Sequence, residues 1–350
     1  MPHPYKKCQD YQFWRRSVSN IETFRFDPVE KTKFKISKTA KVSTAGSCFA
    51  QHISHEIKTI GFNYFVTEAG DNFDQETKKR HNYGVFSARY GNLYTTAQLK
   101  QLFDEAFGTR IPTEQYWVRP DGRYIDPFRQ QVEPEGFETI DDLLADRAQH
   151  LEAVRRMFLE SDFFVFTLGL TEAWRSKEDG SVFPTAPGVI AGEFSDAKYE
   201  FVNFSVSEVY NDMDFFLKNL KKVNPNIKVV LTVSPVPLMA TYEDKNVLVA
   251  TTYSKAVLRV VADMIEKQAD WIDYFPAYEI ITGSFSGGLY YEPDYRQVNH
   301  LGVAHAMRCF LNNYIEKIQI PTEKEIPFNS DSLKSSNIIC DEEVMNTIRT

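Results

Sequence analysis

The chain has no apolar run long enough to cross a bilayer, which takes about 18 or more consecutive apolar residues. Its hydrophobic residues, 43% of 350, are dispersed instead. Residues 1–16 carry charged and polar groups where a secretory leader needs an apolar stretch. Cysteine is scarce. Cys8, Cys48, Cys309 and Cys340 form no Cys-x-x-Cys pair and no disulfide spacing, so free thiols in a reducing cytoplasm are expected. Neither GxGxxG nor GxxxxGK[ST] occurs, which leaves a nucleotide phosphate loop unsupported. No repeat or low-complexity tract is present. An excess of cations is also missing. Residues 1–41 hold ten Lys/Arg and four Asp/Glu, a local +6, so the remainder stands at −14 against an overall −8. An acidic body argues against nucleic acid as the main partner, because phosphate binding needs clustered cations.

What the chain does have is ordinary globular composition and many rings. Charged residues are 25% and aromatics 14%, with 27 Phe and 18 Tyr, enough for a large core and an aromatic-lined pocket. Apolar strand patterns alternate with helical ones. Residues 41–45 read as a strand ending at Gly46, and 48–60 as a helix with Phe49, Ile53, Ile57 and Ile60 on one face. A strand is predicted at 62–66. A helix at 141–160 runs into a buried-type strand at 162–168, a helix at 207–223 into a strand at 227–233, and a helix at 247–268 into a strand at 271–275. The last helix is expected near 302–318, followed by a polar tail with a short helix near 341–348. This alternation predicts an α/β domain with a mostly parallel sheet covered on both faces. Ligands in such folds sit at the carboxyl ends of the strands. The expected organisation is an arm at 1–40 packed on a domain at 41–320, with insertions at 67–137 and 175–205 roofing the site, and a tail at 321–350.

The strand ends direct attention to particular residues. Gly46-Ser47-Cys48 puts nucleophile-type side chains where a strand turns into a helix, beside a helix N-terminus that stabilises anions. Gly169-Leu170-Thr171-Glu172-Ala173-Trp174 follows the 162–168 strand, and Ser234-Pro235-Val236-Pro237 the 227–233 strand. Of the seven histidines, only His300 and His305 follow the last strand. His52-Ile53-Ser54-His55-Glu56 does not match His-Glu-x-x-His and has no further ligand cluster, so no metal is expected.

The segment Thr44-Ala45-Gly46-Ser47-Cys48-Phe49-Ala50 resembles the motif that names the GSCFA family. Tyr83-Gly84, Tyr90-Gly91-Asn92, Gly169 to Trp174, Ser234 to Pro237, Tyr253-Ser254-Lys255 and Phe275 to Glu279 extend the resemblance across most of residues 10–318. The family is grouped with the SGNH/GDSL hydrolase-like proteins. The resemblance therefore implies a flavodoxin-like three-layer sandwich with loop insertions, in a bacterial protein. It also implies acyl-ester chemistry, by an esterase or O-acyltransferase acting on a carbohydrate or glycoconjugate. The superfamily serine falls on Cys48, with Ser47 as the alternative nucleophile. His300 falls at the base position. The aspartate normally three residues before that histidine is Gln297 here; a neutral amide, Gln297 or Asn299, can orient an imidazole beside a thiol, with Asp294 upstream as the fallback. Oxyanion donors implied are the backbone of Gly84 and the side chain of Thr171, which replaces the usual asparagine. Asn82 and Asn92 are further amide donors, Gly169 and Ser234 shape the crevice, Glu172 is a carboxylate at its edge, and Trp174 is a wall. No cofactor is expected, acyl-CoA is a candidate donor, and the partner is a small-molecule or glycan substrate. The replaced aspartate and asparagine leave a second reading open: a degenerate site that binds a glycan or a protein.

Overall fold

The computed structural model describes residues 3–316. The tail predicted at 321–350, its short helix and Cys340 lie outside the described residues. In chain order the elements are β1 (Val42–Gly46), α1 (Ala50–Thr59), α2 (Gln75–Arg80), α3 (Thr96–Ala106), β2 (Trp117–Val118), β3 (Tyr124–Ile125) and α4 (Ile140–Glu160). Then come β4 (Phe163–Leu168), β5 (Glu172–Ser176), β6 (Val182–Phe183), β7 (Tyr199–Asn203) and α5 (Val206–Val223). The chain continues with β8 (Lys228–Val233), α6 (Val247–Glu266), β9 (Ile272–Tyr274), α7 (Ala277–Thr282) and α8 (His300–Tyr314).

The central sheet has the order β1-β4-β8-β9, and every pairing is parallel. It is flanked by helices on both faces, the arrangement of a flavodoxin-like three-layer sandwich. β4 shows why. All six of its residues are buried, and its side chains alternate between two apolar layers. Phe163 and Val165 face Phe49 in the turn before α1, Ile53 and Ile57 of α1, and Val303 and Phe310 of α8. Phe164 and Phe166 face Leu99, Val154, Met213, Leu258 and their neighbours on α3, α4, α5 and α6. Burying one such ring stabilises by roughly 1.5–3 kcal/mol, and truncating it to Ala costs about 3–5 kcal/mol.

Helix starts follow the sequence signals. Thr139 caps α4, and Ser205 forms a reciprocal box with Glu208 at α5. Three expectations are corrected. The strand predicted at 62–66 shrinks to a single parallel bridge, Tyr64 with Val42, because only Asn63 and Phe65 bond to the edge of β1. α1 begins at Ala50, after a tight turn at 47–49, and not at Cys48. α8 starts at His300, two residues early, and stops at Tyr314, where Ile315 turns to pair with Ile36.

The stretches read as insertions contain regular structure. α3 lies in the core layer beside α4 and α5 and is not a roof. Its apolar spacing is short, and Thr95 and Gln98 form its capping box. β6-β5-β7 make a small antiparallel sheet that leaves the carboxyl edge of β4. The β2-β3 hairpin packs on it through Trp117, Ile125, Phe183 and Tyr199. Of the N-terminal arm, Phe34 and Ile36 are buried, and the Lys33 N–H donates to Asp273 at 2.9 Å.

Candidate active site

Cys48 sits where the sheet ends. Gly46 closes β1 opposite Thr167, and the Ser47 N–H donates to Thr167 O at 3.1 Å. Gly46 has φ +128°, and a Cβ there would stand 2.3 Å from Thr167 O. Only glycine fits this turn. Ala50 N–H then bonds Ser47 O at 2.9 Å and Gln51 N–H bonds Cys48 O at 3.1 Å, which reverses the chain into α1. Cys48 is a reduced, buried thiol with 7% exposure. Ser47 is also buried, and its hydroxyl has no hydrogen-bond partner among the described residues.

Two more loops lock against this turn. Leu93 N–H donates to Gly46 O at 2.9 Å. Tyr94 O accepts from both Gly169 N–H, at 3.0 Å, and Leu170 N–H, at 3.1 Å. A Cβ on Gly169 would lie 2.9 Å from Tyr94 O and 3.2 Å from the Ser47 Cβ, so the three loops touch without room for a side chain. Lys255, buried on α6, donates from Nζ to Gly169 O at 2.6 Å. Ser234 supports the next strand end: its N–H donates to Leu168 O at 2.8 Å, and its Oγ accepts from Val236 N–H.

The structure therefore gathers Ser47, Cys48, Asn92 and Gly169, because Asn92 immediately precedes Leu93 and is itself buried. Other expected residues lie elsewhere. Gly84 presents its carbonyl to Lys58 Nζ in the last turn of α1. That is the far end of a helix about 15 Å long, so its N–H does not reach Cys48; the second loop at the site is residues 92–94. Thr171 is fully buried and spends its hydroxyl hydrogen on Asn203 Oδ1 at 2.6 Å, so it offers no donor to an oxyanion. Asn82 donates its amide to Gln131 O at 3.0 Å. Glu172 is half-buried at the edge of the crevice. Burial raises its pKa against the opposing bonds from Thr241 Oγ1 and Tyr242 N–H. Trp174 packs among Phe194, Phe201 and Tyr242, with its ring 4.8 Å from that of Tyr242.

His300 is exposed on the first turn of α8. α1 and α8 pack together on one face of the sheet; α1 follows β1, and the C-terminal end of α8 returns to Ile36, near the start of β4 where Phe34 meets Phe163, so both helix N-termini lie at the carboxyl edge. Cys48 and His300 thus share that edge. Asn299 is the helix cap: its Oδ1 accepts from Leu301 and Gly302 N–H, and its amide donates to Leu289 O and Tyr291 O. Asp294 is exposed and accepts from the N–H groups of Arg296 and Gln297 at 2.9 and 3.0 Å, a turn within its own loop. Gln297 is exposed in that loop. His305 is structural. Its Nε2–H donates to Phe26 O and its Nδ1 faces the Tyr290 hydroxyl, both at 2.6 Å.

His52 stands edge-on to Phe49, and burial, then His55, lowers its pKa to about 4. No group of three or more His, Cys, Asp or Glu side chains is placed to hold a metal among the described residues. Sequence reading missed Lys255 as a prop for Gly169 and residues 92–94 as the second loop. The Gly91-Asn92 pair was the available signal, since Gly91 takes φ +69°.

The model of the GSCFA family matches residues 41–310, which spans β1 through most of α8. A comparison with curated proteins finds no match.

Proposed function

Because the chain belongs to the GSCFA family, a membership that suggests a hydrolase-like domain, we propose that it carries out acyl transfer through a thiol, as an esterase or an O-acyltransferase of a carbohydrate or glycoconjugate. The observation that carries this reading is the placement of Cys48. A thiol sits at the carboxyl end of a buried parallel strand, one turn before a helix, with three glycine-dependent loops closed around it. In this reading the Cys48 thiolate attacks an acyl carbonyl, and His300 removes the thiol proton and later returns it to the leaving group. The acyl group then rests as a thioester on Cys48 Sγ until water or a sugar hydroxyl takes it. Ser47 is the weaker nucleophile, because a buried hydroxyl forms its anion far less readily near neutral pH than a thiol does. Backbone N–H groups at the start of α1 and the Asn92 amide would hold the oxyanion, in place of Gly84 and Thr171. Acyl-CoA is the proposed donor for the transfer branch.

The test is intact mass after incubation with acyl-CoA or an activated acyl ester. The expected result is a single acyl adduct that disappears in Cys48→Ala and persists in Ser47→Ala. The reverse pattern would move the nucleophile to Ser47. No adduct in the native chain, with no turnover of either acyl source, would favour the second reading, a glycan- or protein-binding module. The commitment of Thr171 to Asn203 is the observation on that side.

A further inference from the structure

The +6 segment at the start of the chain divides into two parts. Residues 26–38 hold the body: Phe26 O receives His305, Lys33 Nζ reaches the carbonyls of Glu266 and Ile272, and Ile36 pairs with Ile315. Residues 3–25 do not. None of their side chains is buried. Among the described residues their hydrogen bonds and ion pairs close within the segment, as in Cys8 N–H to Tyr5 O, Asn20 N–H to Arg15 O and Arg16 to Asp10, apart from those that Glu22 O and Thr23 O accept from the Phe26 N–H. The first hold on the body is the Phe24 ring, 6.5 Å from that of Tyr290.

This segment leaves large apolar groups in water. Tyr5 is 66% and Trp14 67% exposed, and Tyr11, Ile21 and Phe24 are exposed as well. Cations alternate with them: Lys6, Lys7, Arg15, Arg16 and Arg25. The two acids are spent locally, Asp10 on Arg16 and Glu22 on Arg25. Lys6, Lys7 and Arg15 have no acidic partner among the described residues. Rings with one polar end beside Lys and Arg are the side chains that settle at a bilayer interface.

We infer that residues 3–25 form a docking arm for an anionic lipid surface. Charge complementarity selects this occupant. Residues 3–25 hold five Lys/Arg against two Asp/Glu, a local +3, so the rest of the chain stands at −11 and is repelled by such a surface, and contact is favourable through the arm. Single-stranded nucleic acid would use the rings and cations too, but Ile21 has no face on which a base can stack, whereas an aliphatic side chain inserts below headgroups. The arm also has a defined position. It climbs α8 from Ile36, opposite Ile315, to Phe24, beside Tyr290, and Tyr290 packs against Gly302 in the first turn of that helix. Residues 3–24 therefore emerge at the carboxyl edge of the sheet, the edge that carries Cys48, and docking turns this edge toward the bilayer.

The test is co-sedimentation of the full chain with phosphatidylcholine vesicles and with vesicles in which roughly one lipid in three is phosphatidylglycerol. Binding to the anionic vesicles is expected to be at least about tenfold tighter and to weaken at high salt. The triple variant Lys6→Glu, Lys7→Glu, Arg15→Glu should fall to the phosphatidylcholine level. Trp14→Ser should lose several-fold affinity at unchanged charge, and Trp14 fluorescence should shift to the blue on binding. Equal sedimentation with both vesicle types, or wild-type binding by the triple variant, would overturn the inference. So would tighter retention on single-stranded RNA than on anionic vesicles. A molecular mass by light scattering that drops in the triple variant without lipid would assign the arm to a protein partner instead. The variants should fold normally, since Lys6, Lys7, Trp14 and Arg15 are all exposed.

Discussion

The turn that carries Cys48 and the turn that carries His300 lie at the same edge of the sheet but are built on opposite principles. Around Cys48 the backbone does the holding. Gly46 is locked to Thr167 and Leu93, Gly169 is locked to Tyr94, and the side chains are buried. Around His300 the side chains do the holding. Asn299 caps the helix and Asp294 closes its own loop, while the imidazole stands in solvent. Backbone contacts between buried segments leave one arrangement, whereas an exposed side chain on a helix end keeps its rotamers. The Cys48 turn is thus preformed, whereas the His300 side chain is free to adjust.

The sharpest way to break this contrast is Gly46→Ala. The new Cβ meets a backbone oxygen at 2.3 Å, at a φ of +128° that side chains avoid. Strain and overpacking together should lower unfolding stability by on the order of 4 kcal/mol. Urea unfolding would measure it. A loss below about 0.5 kcal/mol would mean that the Cys48 turn is soft, and the contrast would fail.

A second test loosens the same side by pH. The segment leading to Tyr94 rests on β1, where the Thr44 N–H donates to Ser87 Oγ at 3.1 Å and the Tyr90 hydroxyl bonds Thr44 O. Between them, the Arg89 N–H donates to Glu68 at 2.7 Å, and His150 Nδ1 lies 2.8 Å from the same carboxylate oxygen. Burial pushes the Glu68 pKa up, but His150, Arg129 and the Arg89 N–H outweigh it and hold it at about 2, against an ordinary 4.5. A carboxylate lowered on folding stabilises fully above its unfolded pKa and loses that contribution as pH falls toward its folded pKa. Stability should therefore drop by about 3 kcal/mol through this group between pH 4.5 and about 2. Glu68→Gln should remove that part of the acid dependence. An unchanged slope in the variant would show that Glu68 does not anchor this wall.

The fold was legible because its central elements are long and strongly patterned. Phe163 to Leu168 and Lys228 to Val233 read as buried strands and are so. Two-residue strands such as β2 and β6 carry too few side chains for a period, and α3 was hidden by the loop-like composition around it. At the site, the Gly-Ser-Cys turn was readable because its glycine has one structural explanation. Thr171 and Gly84 were not, for different reasons. A hydroxyl next to a crevice can as easily turn inward, as Thr171 does to Asn203, and which of several glycine loops reaches a strand end is decided by long-range packing. Arg89, Asp126, Arg129 and Arg147 form a buried ionic cluster that no short spacing announces, since its members come from separate loops and helices.

The smallest stability effect should come from His300→Ala, and that is what makes it informative. The side chain is exposed and starts α8 without capping it, the cap being Asn299. Its removal should change unfolding stability by less than about 0.5 kcal/mol. If His300 takes the Cys48 proton, the same change should slow acylation of Cys48 by about 10²-fold or more, read as the rate of adduct formation by intact mass. It should also shift the pH dependence of Cys48 alkylation toward that of an unassisted thiol, which a structural role would leave in place. Equal acylation rates with and without His300 would detach the base from the nucleophile and leave the preformed Cys48 turn as a site that needs its proton acceptor from the substrate or from another residue.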